Sequence, residues 1–170
     1  MPKAETGRDH VGRLRDLWSK SLPDVDTEGM AIIGRARRIT LALRPGIEAI
    51  FKAHGLDAGE FDVLASILRA GPPYRLRPTE LYRALMISSG GLTDRLARLE
   101  ERGLIRRISA PDDKRSLLVE LSKQGQRRAE AAFREDMVYE KDMLSGLTGD
   151  EKRTLAALLA KLAAHLEDAD

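Results

Sequence analysis

A chain of 170 residues, 42% hydrophobic and 33% charged, has the size and balance of one globular domain, or of one domain with helical arms. It contains no cysteine, which excludes disulfides, thiolate metal sites and a thiol-oxidation switch. A net charge of +2 does not argue for a nucleic-acid partner by itself, although it leaves room for a basic face.

The opening MPKAETGRDH lacks the apolar segment of a secretion signal. No run in the chain approaches the roughly 20 apolar residues of a membrane span, so no membrane association and a cytoplasmic location are expected. Residues 9–19 read as a short helix with Val11, Leu14, Leu17 and Trp18 on its apolar side. Pro23 and an acidic loop follow. Residues 30–54 carry helical periodicity through Ile32, Ile33, Ile39, Leu43, Ile47, Ile50 and Phe51, and Pro45 within the run predicts a kink or a split. Asp57 and Glu60 have capping-box spacing before a helix with Phe61, Leu64, Ile67 and Leu68 on its buried stripe.

Gly71-Pro72-Pro73 ends that helix, and Pro78 opens a short one over residues 78–85. A tight turn through Ser88 and Ser89 then leads into a helix with Leu92, Leu96 and Leu99 on one stripe and Gly103 as its stop. Two helices joined by so short a turn are a helix-turn-helix. An apolar strand over 104–108, a charged turn and a second strand over 117–121 complete a winged helix. Ser122 caps a long helix to Leu144, and Thr148 with Glu151 caps the last, which bears Leu155, Leu158, Leu159, Leu162 and Leu166. The expected fold is mainly α with a small β-wing. It divides into an extra N-terminal helix and dimerisation helix (1–55), a winged helix-turn-helix DNA-binding domain (56–121) and C-terminal dimerisation helices (122–170). The apolar end helices need a surface to cover them, and a second copy is the economical one for a reader of two half-sites.

A recognition helix offers its N-terminal residues to base edges in the major groove. Here these are Ser88, Ser89, Gly90, Thr93 and Asp94, with Arg98 one turn on as the strong base reader, suited to guanine. Between the two strands, Lys114 and Arg115 project at the wing tip, where an arginine suits a narrow minor groove, and Asp113 orients the guanidinium. Arg75, Arg77 and Thr79 are candidates for phosphate contact. Arg95 falls on the inward stripe of the recognition helix and Asp62 borders the stripe of the preceding long helix. Half-buried charges need partners, and an Arg95–Asp62 contact is the simplest. An anionic ligand able to take that guanidinium would act directly on the DNA-reading helix.

His10, His54 and His165 stand apart without metal-ligand spacing, and no glycine-rich phosphate loop follows a strand, so neither an enzyme nor a resident cofactor is expected. A winged helix that binds another protein is the competing class, and the basic wing argues against it.

The order of elements, the run GGLTDRLARLEERGLIRR and above all DKRS at 113–116 resemble the MarR family of winged-helix regulators. The likeness extends over nearly the whole chain and departs at Arg77, where the family often has a Ser or Thr cap. It implies a homodimer that binds a palindromic operator, usually as a repressor, and releases it when a small molecule binds. GEFDVLASILRAGPPYRL and MISSGGLTDRLARLEERGLI are similar to the family's urate-responsive branch, which has an extra N-terminal helix with a tryptophan, an aspartate and two arginines. By that resemblance Arg95 anchors the ligand's charge, Trp18 walls it, Asp62 is repelled by it, and Arg107 relays the displacement to the wing. A relative sensing another aromatic or carboxylate metabolite is the alternative within the family.

Overall fold

The computed structural model describes residues 9–85, 91–109 and 117–168. They form two compact units, one running to Ile47 and one from Glu48 onward.

In the first unit, α1 (His10–Ser21) is capped by Asp9, whose side chain accepts the Gly12 N–H at 2.8 Å. The same carboxylate receives both the Nε and a terminal nitrogen of Arg35, each at 2.9 Å. Those bonds hold the Asp9 carboxyl below its usual pKa. Val11, the buried residue of α1, packs on Gly34 in a π-helical turn (Met30–Gly34) that leads into α2 (Arg35–Ala53). Pro45 lies inside α2 without splitting it, contrary to one of the two outcomes the sequence suggested.

The second unit holds the core. The ring of Phe51, at the end of α2, stacks on Phe61 of α3 (Ala58–Arg69) with centroids 4.0 Å apart. Asp57 and Glu60 form the expected capping box, at 2.7 and 3.1 Å. Val63, Leu64 and Ile67 of α3, Leu81 of α4 (Pro78–Ala84), Leu96 and Leu99 of α5 (Leu92–Glu101), and Leu104, Ile105 and Val119 are almost wholly shielded from solvent. The sheet has three antiparallel strands in the order β1 (Arg75–Leu76), β3 (Leu117–Leu121), β2 (Ile105–Ser109). Arg75 and Arg106 both face Glu120 across the ladder. The two wing strands are as expected within one residue, whereas β1 is too short to announce itself by alternation.

Ser122 caps α6 (Lys123–Met143), accepting from the Gly125 N–H at 2.9 Å, and Gly125, Ala129 and Ala132 form its buried edge. Thr148 caps α7 (Gly149–Glu167), which buries none of its residues. Asp136 on α6 is 5% exposed, and its Oδ1 has no hydrogen-bond partner among the described residues. Burial pushes this carboxyl above its ordinary pKa, and nearby Glu140 pushes in the same direction. A group whose pKa rises on folding contributes stability fully below its unfolded value, and that contribution drains away as pH rises through the folded value. Asp136→Asn is therefore expected to raise the melting temperature at pH 7 by about 2–4 °C, roughly 1 kcal/mol for a chain of this size. The gain should vanish near pH 4, which paired melting curves across that range would test.

Candidate nucleic-acid interface

The two helices of the helix-turn-helix are α4 and α5. Pro78 starts α4 at a position where its missing N–H costs nothing, and Glu80 accepts the Arg77 N–H at 2.7 Å, so the helix begins securely without a Ser or Thr hydroxyl cap. At its other end, Arg69 and Ser66 of α3 donate to the Ala84 carbonyl at 2.9 and 3.2 Å. Gly91 then adopts a left-handed backbone (φ 72°), and α5 begins at Leu92. Of the expected reading residues, Ser88, Ser89 and Gly90 lie outside the described residues, while Thr93 and Asp94 occupy the exposed first turn of α5.

Thr79, Tyr82 and Arg83 of α4 line one groove together with Gly91 and with Leu92 and Thr93 of α5. Two residues singled out in the sequence, Thr79 and Thr93, thus meet on one surface. Tyr82 and Arg83 between them escaped the sequence reading. Tyr82 is 57% exposed, and a large aromatic left open beside a helix-turn-helix is the signal that could have found it.

Arg98 is engaged by α3. Its Nε donates to Glu60 and a terminal nitrogen to Asp57, both at 3.2 Å, and the Glu60 bond chiefly raises the guanidinium pKa. Arg98 thus joins α5 to the start of α3 while its side chain stays 48% exposed. Arg102 joins the same contact, donating to Glu60 at 2.9 Å and to the Gly55 carbonyl. Arg75 likewise sits on buried Glu120 at 2.6 Å, and Arg106 binds the same carboxylate from the other side. Burial works to raise the pKa of Glu120, but the bonds from Arg75 and Arg106 outweigh it and hold the carboxyl low. Of the wing tip, Asp113, Lys114 and Arg115 lie outside the described residues.

The residues expected to bind ligand divide between the units. Trp18, 48% exposed, belongs to α1 in the first. In the second, Asp62 is 4% exposed on α3, and half-buried Arg95 of α5 lies across Gly59, one turn earlier on α3. Arg107 on β2 ties the wing to the end of α5: its Nε pairs with Glu100 at 3.2 Å and its backbone N–H donates to the same carboxylate. No cluster of metal-ligating side chains occurs among the described residues, and no described helix is long and apolar enough to cross a membrane.

A family model described as MarR family matches residues 54–116. The transcriptional regulator PecS of Dickeya dadantii is 37% identical over 156 residues, which cover 92% of this chain and 94% of PecS. A mutant MarR from E. coli, solved in complex with operator DNA, superimposes with a TM-score of 0.65 at 28% identity, over 86% of this chain and 98% of that one. An organohalide-sensing RdhR regulator in its 2,4-dichlorophenol-bound form shares the fold, with a TM-score of 0.71 at 18% identity over 97% and 89% of the two chains.

Proposed function

Because the chain belongs to the MarR family of DNA-binding transcriptional regulators, a family of non-enzymatic proteins, we propose that it represses from a palindromic operator as a homodimer and lets go when a small anionic aromatic such as urate binds. The observation that carries the DNA-binding face is the groove where α4 meets α5, lined by Thr79, Tyr82, Arg83 and Thr93. Asp94 belongs to that face, Arg77 is assigned to the phosphate backbone, and Ser88, Ser89, Gly90, Asp113, Lys114 and Arg115 are assigned to DNA contact from the sequence alone. Arg75 and Arg98, each paired with a carboxylate and partly exposed, also belong to that face. Exposed Leu155, Leu158 and Leu159 of α7 and Phe133 and Met137 of α6 support the second copy, as patches of this kind favour an apolar partner.

The ligand response is assigned to Asp62, Arg95 and Arg107, with Trp18 as the aromatic wall. A buried aspartate on α3 and an arginine lying over the same helix form a junction an anion can disturb. Arg107 and Glu100 link the far end of α5 to the wing. The energetics suffice: a tenfold loss of operator affinity needs about 1.4 kcal/mol of coupling, and breaking a buried ion pair costs roughly 3–5 kcal/mol. In a gel-shift titration with urate, Arg95→Ala and Asp62→Asn are expected to blunt release at least tenfold while changing DNA affinity less. Should both variants release DNA at the wild-type urate concentration, this assignment is wrong. Full release by another aromatic carboxylate, with urate inert, would favour the alternative ligand class.

A further inference from the structure

The end of α2, with the turn after it, and the first turns of α6 border a cleft of about 560 Å³, within the usual range for small-molecule sites. Ala53, His54 and Gly55 line it from one side and Gln124, Arg127 and Arg128 from the other. No carboxylate is among these lining residues. Glu135, two turns further along α6, is bonded to His54 Nε2 at 2.8 Å and is already engaged.

The positive charge here is unanswered. Among the described residues Arg127 and Arg128 hold no carboxylate, whereas Arg102 beside them holds Glu60, which Arg98 shares. Arg102 also donates to the Gly55 carbonyl, and a Cβ built on Gly55 would lie 3.7 Å from Arg102 Nη2 and 3.4 Å from Arg128 Nη1. Two guanidinium groups therefore converge on one corner, and Arg127 adds a third charge along the same cleft. Like charges gathered in a concavity repel one another and concentrate a positive field, and an anion between them relieves the repulsion. The guanidinium fork matches the paired oxygens of a phosphate.

We propose that this cleft is a phosphate-binding site, with Arg127 and Arg128 gripping the oxygens and Gln124 donating a further hydrogen bond. Two unanswered guanidinium charges match a phosphate dianion better than a single carboxylate. The group belongs either to a free phosphorylated small molecule or to the DNA backbone, and its position favours the first. The Ser122 N–H that precedes α6 donates to the Leu104 carbonyl, and the Leu104 N–H to that of Leu99. The cleft therefore adjoins the end of α5 opposite to Thr93 and Asp94. Trp18, Asp62, Arg95 and Arg107 play no part in it, and the proposal stands whether or not α5 reads DNA.

The test titrates the full-length protein with inorganic phosphate by calorimetry at constant ionic strength, with chloride as the balancing anion. Arg127→Gln combined with Arg128→Gln should weaken phosphate binding by about tenfold or more, because two charge-assisted forks are lost. Neither side chain is bonded within the fold, so this variant should melt as the wild type does. Arg134→Gln combined with Lys141→Gln removes two charges from the same helix, about two turns or more beyond the cleft, and should stay within about twofold of the wild type. Equal weakening by the two pairs reveals diffuse attraction to the helix and overturns the site. A mixed-sequence DNA duplex then separates the sources. Phosphate binding lost in the Arg127 and Arg128 variant, with its salt slope for duplex unchanged, identifies a free phosphate compound. A slope shallower by about two units in that variant alone identifies the DNA backbone. No phosphate binding by the wild type together with an unchanged slope refutes the proposal.

Discussion

Gly125→Ala is expected to lower the melting temperature by roughly 6–12 °C, the equivalent of about 3 kcal/mol for a chain of this size. Gly125 lies in the first turn of α6, where a Cβ would collide with the carbonyl oxygen of Leu104 and come within 2.9 Å of its carbonyl carbon. Neither side can yield cheaply. Leu104 is fully buried, its N–H donates to the Leu99 carbonyl at 2.9 Å, and its own carbonyl accepts the Ser122 N–H at 3.0 Å. Ser122 in turn caps α6. Relief therefore requires moving either the helix or the strand entry, and both are bonded to each other. Calorimetry on the purified variant checks this, and a wild-type melting temperature would mean that α6 starts further from Leu104 than described.

Leu99→Ala should cost about 2–5 kcal/mol, the range for emptying a fully buried leucine site. Leu99 is 0% exposed on the inner stripe of α5, and its carbonyl anchors the turn into the wing. The cavity opens behind α5, in a packed layer also formed by Leu96 and Leu104. Chemical denaturation should show a lower midpoint with an unchanged denaturant slope, because the same surface is exposed on unfolding. A stability loss under 1 kcal/mol would indicate that the neighbours collapse into the space.

Much of this architecture could be read from the chain because its signals are local. Asp57 with Glu60, Ser122, and Thr148 with Glu151 are caps written within four residues, and the structure forms each of them. The leucine stripe of α5 shows which way that helix faces. What stayed hidden depends on partners distant in sequence. Glu60 reads as a capping residue, and nothing nearby reveals that Arg98 and Arg102, 38 and 42 positions on, converge on it. Arg75 looks like an available cation until β1 pairs with β3 and brings Glu120 to it, 45 residues away.

The pairing of arginines with carboxylates also governs how salt should affect this regulator. Affinity for duplex DNA falls with ionic strength according to the counterions displaced, by about 0.9 of a logarithmic unit per phosphate neutralised for each tenfold rise in salt. A guanidinium that already holds a carboxylate, as Arg75, Arg98, Arg102, Arg106 and Arg107 do, is partly neutralised before it meets a phosphate and displaces fewer of the cations condensed on DNA than an unpaired one would. The 29 lysines and arginines of the chain therefore overstate its polyelectrolyte character. Part of its basic charge holds its own helices and strands in register, and its grip on DNA should tolerate salt better than the residue count implies.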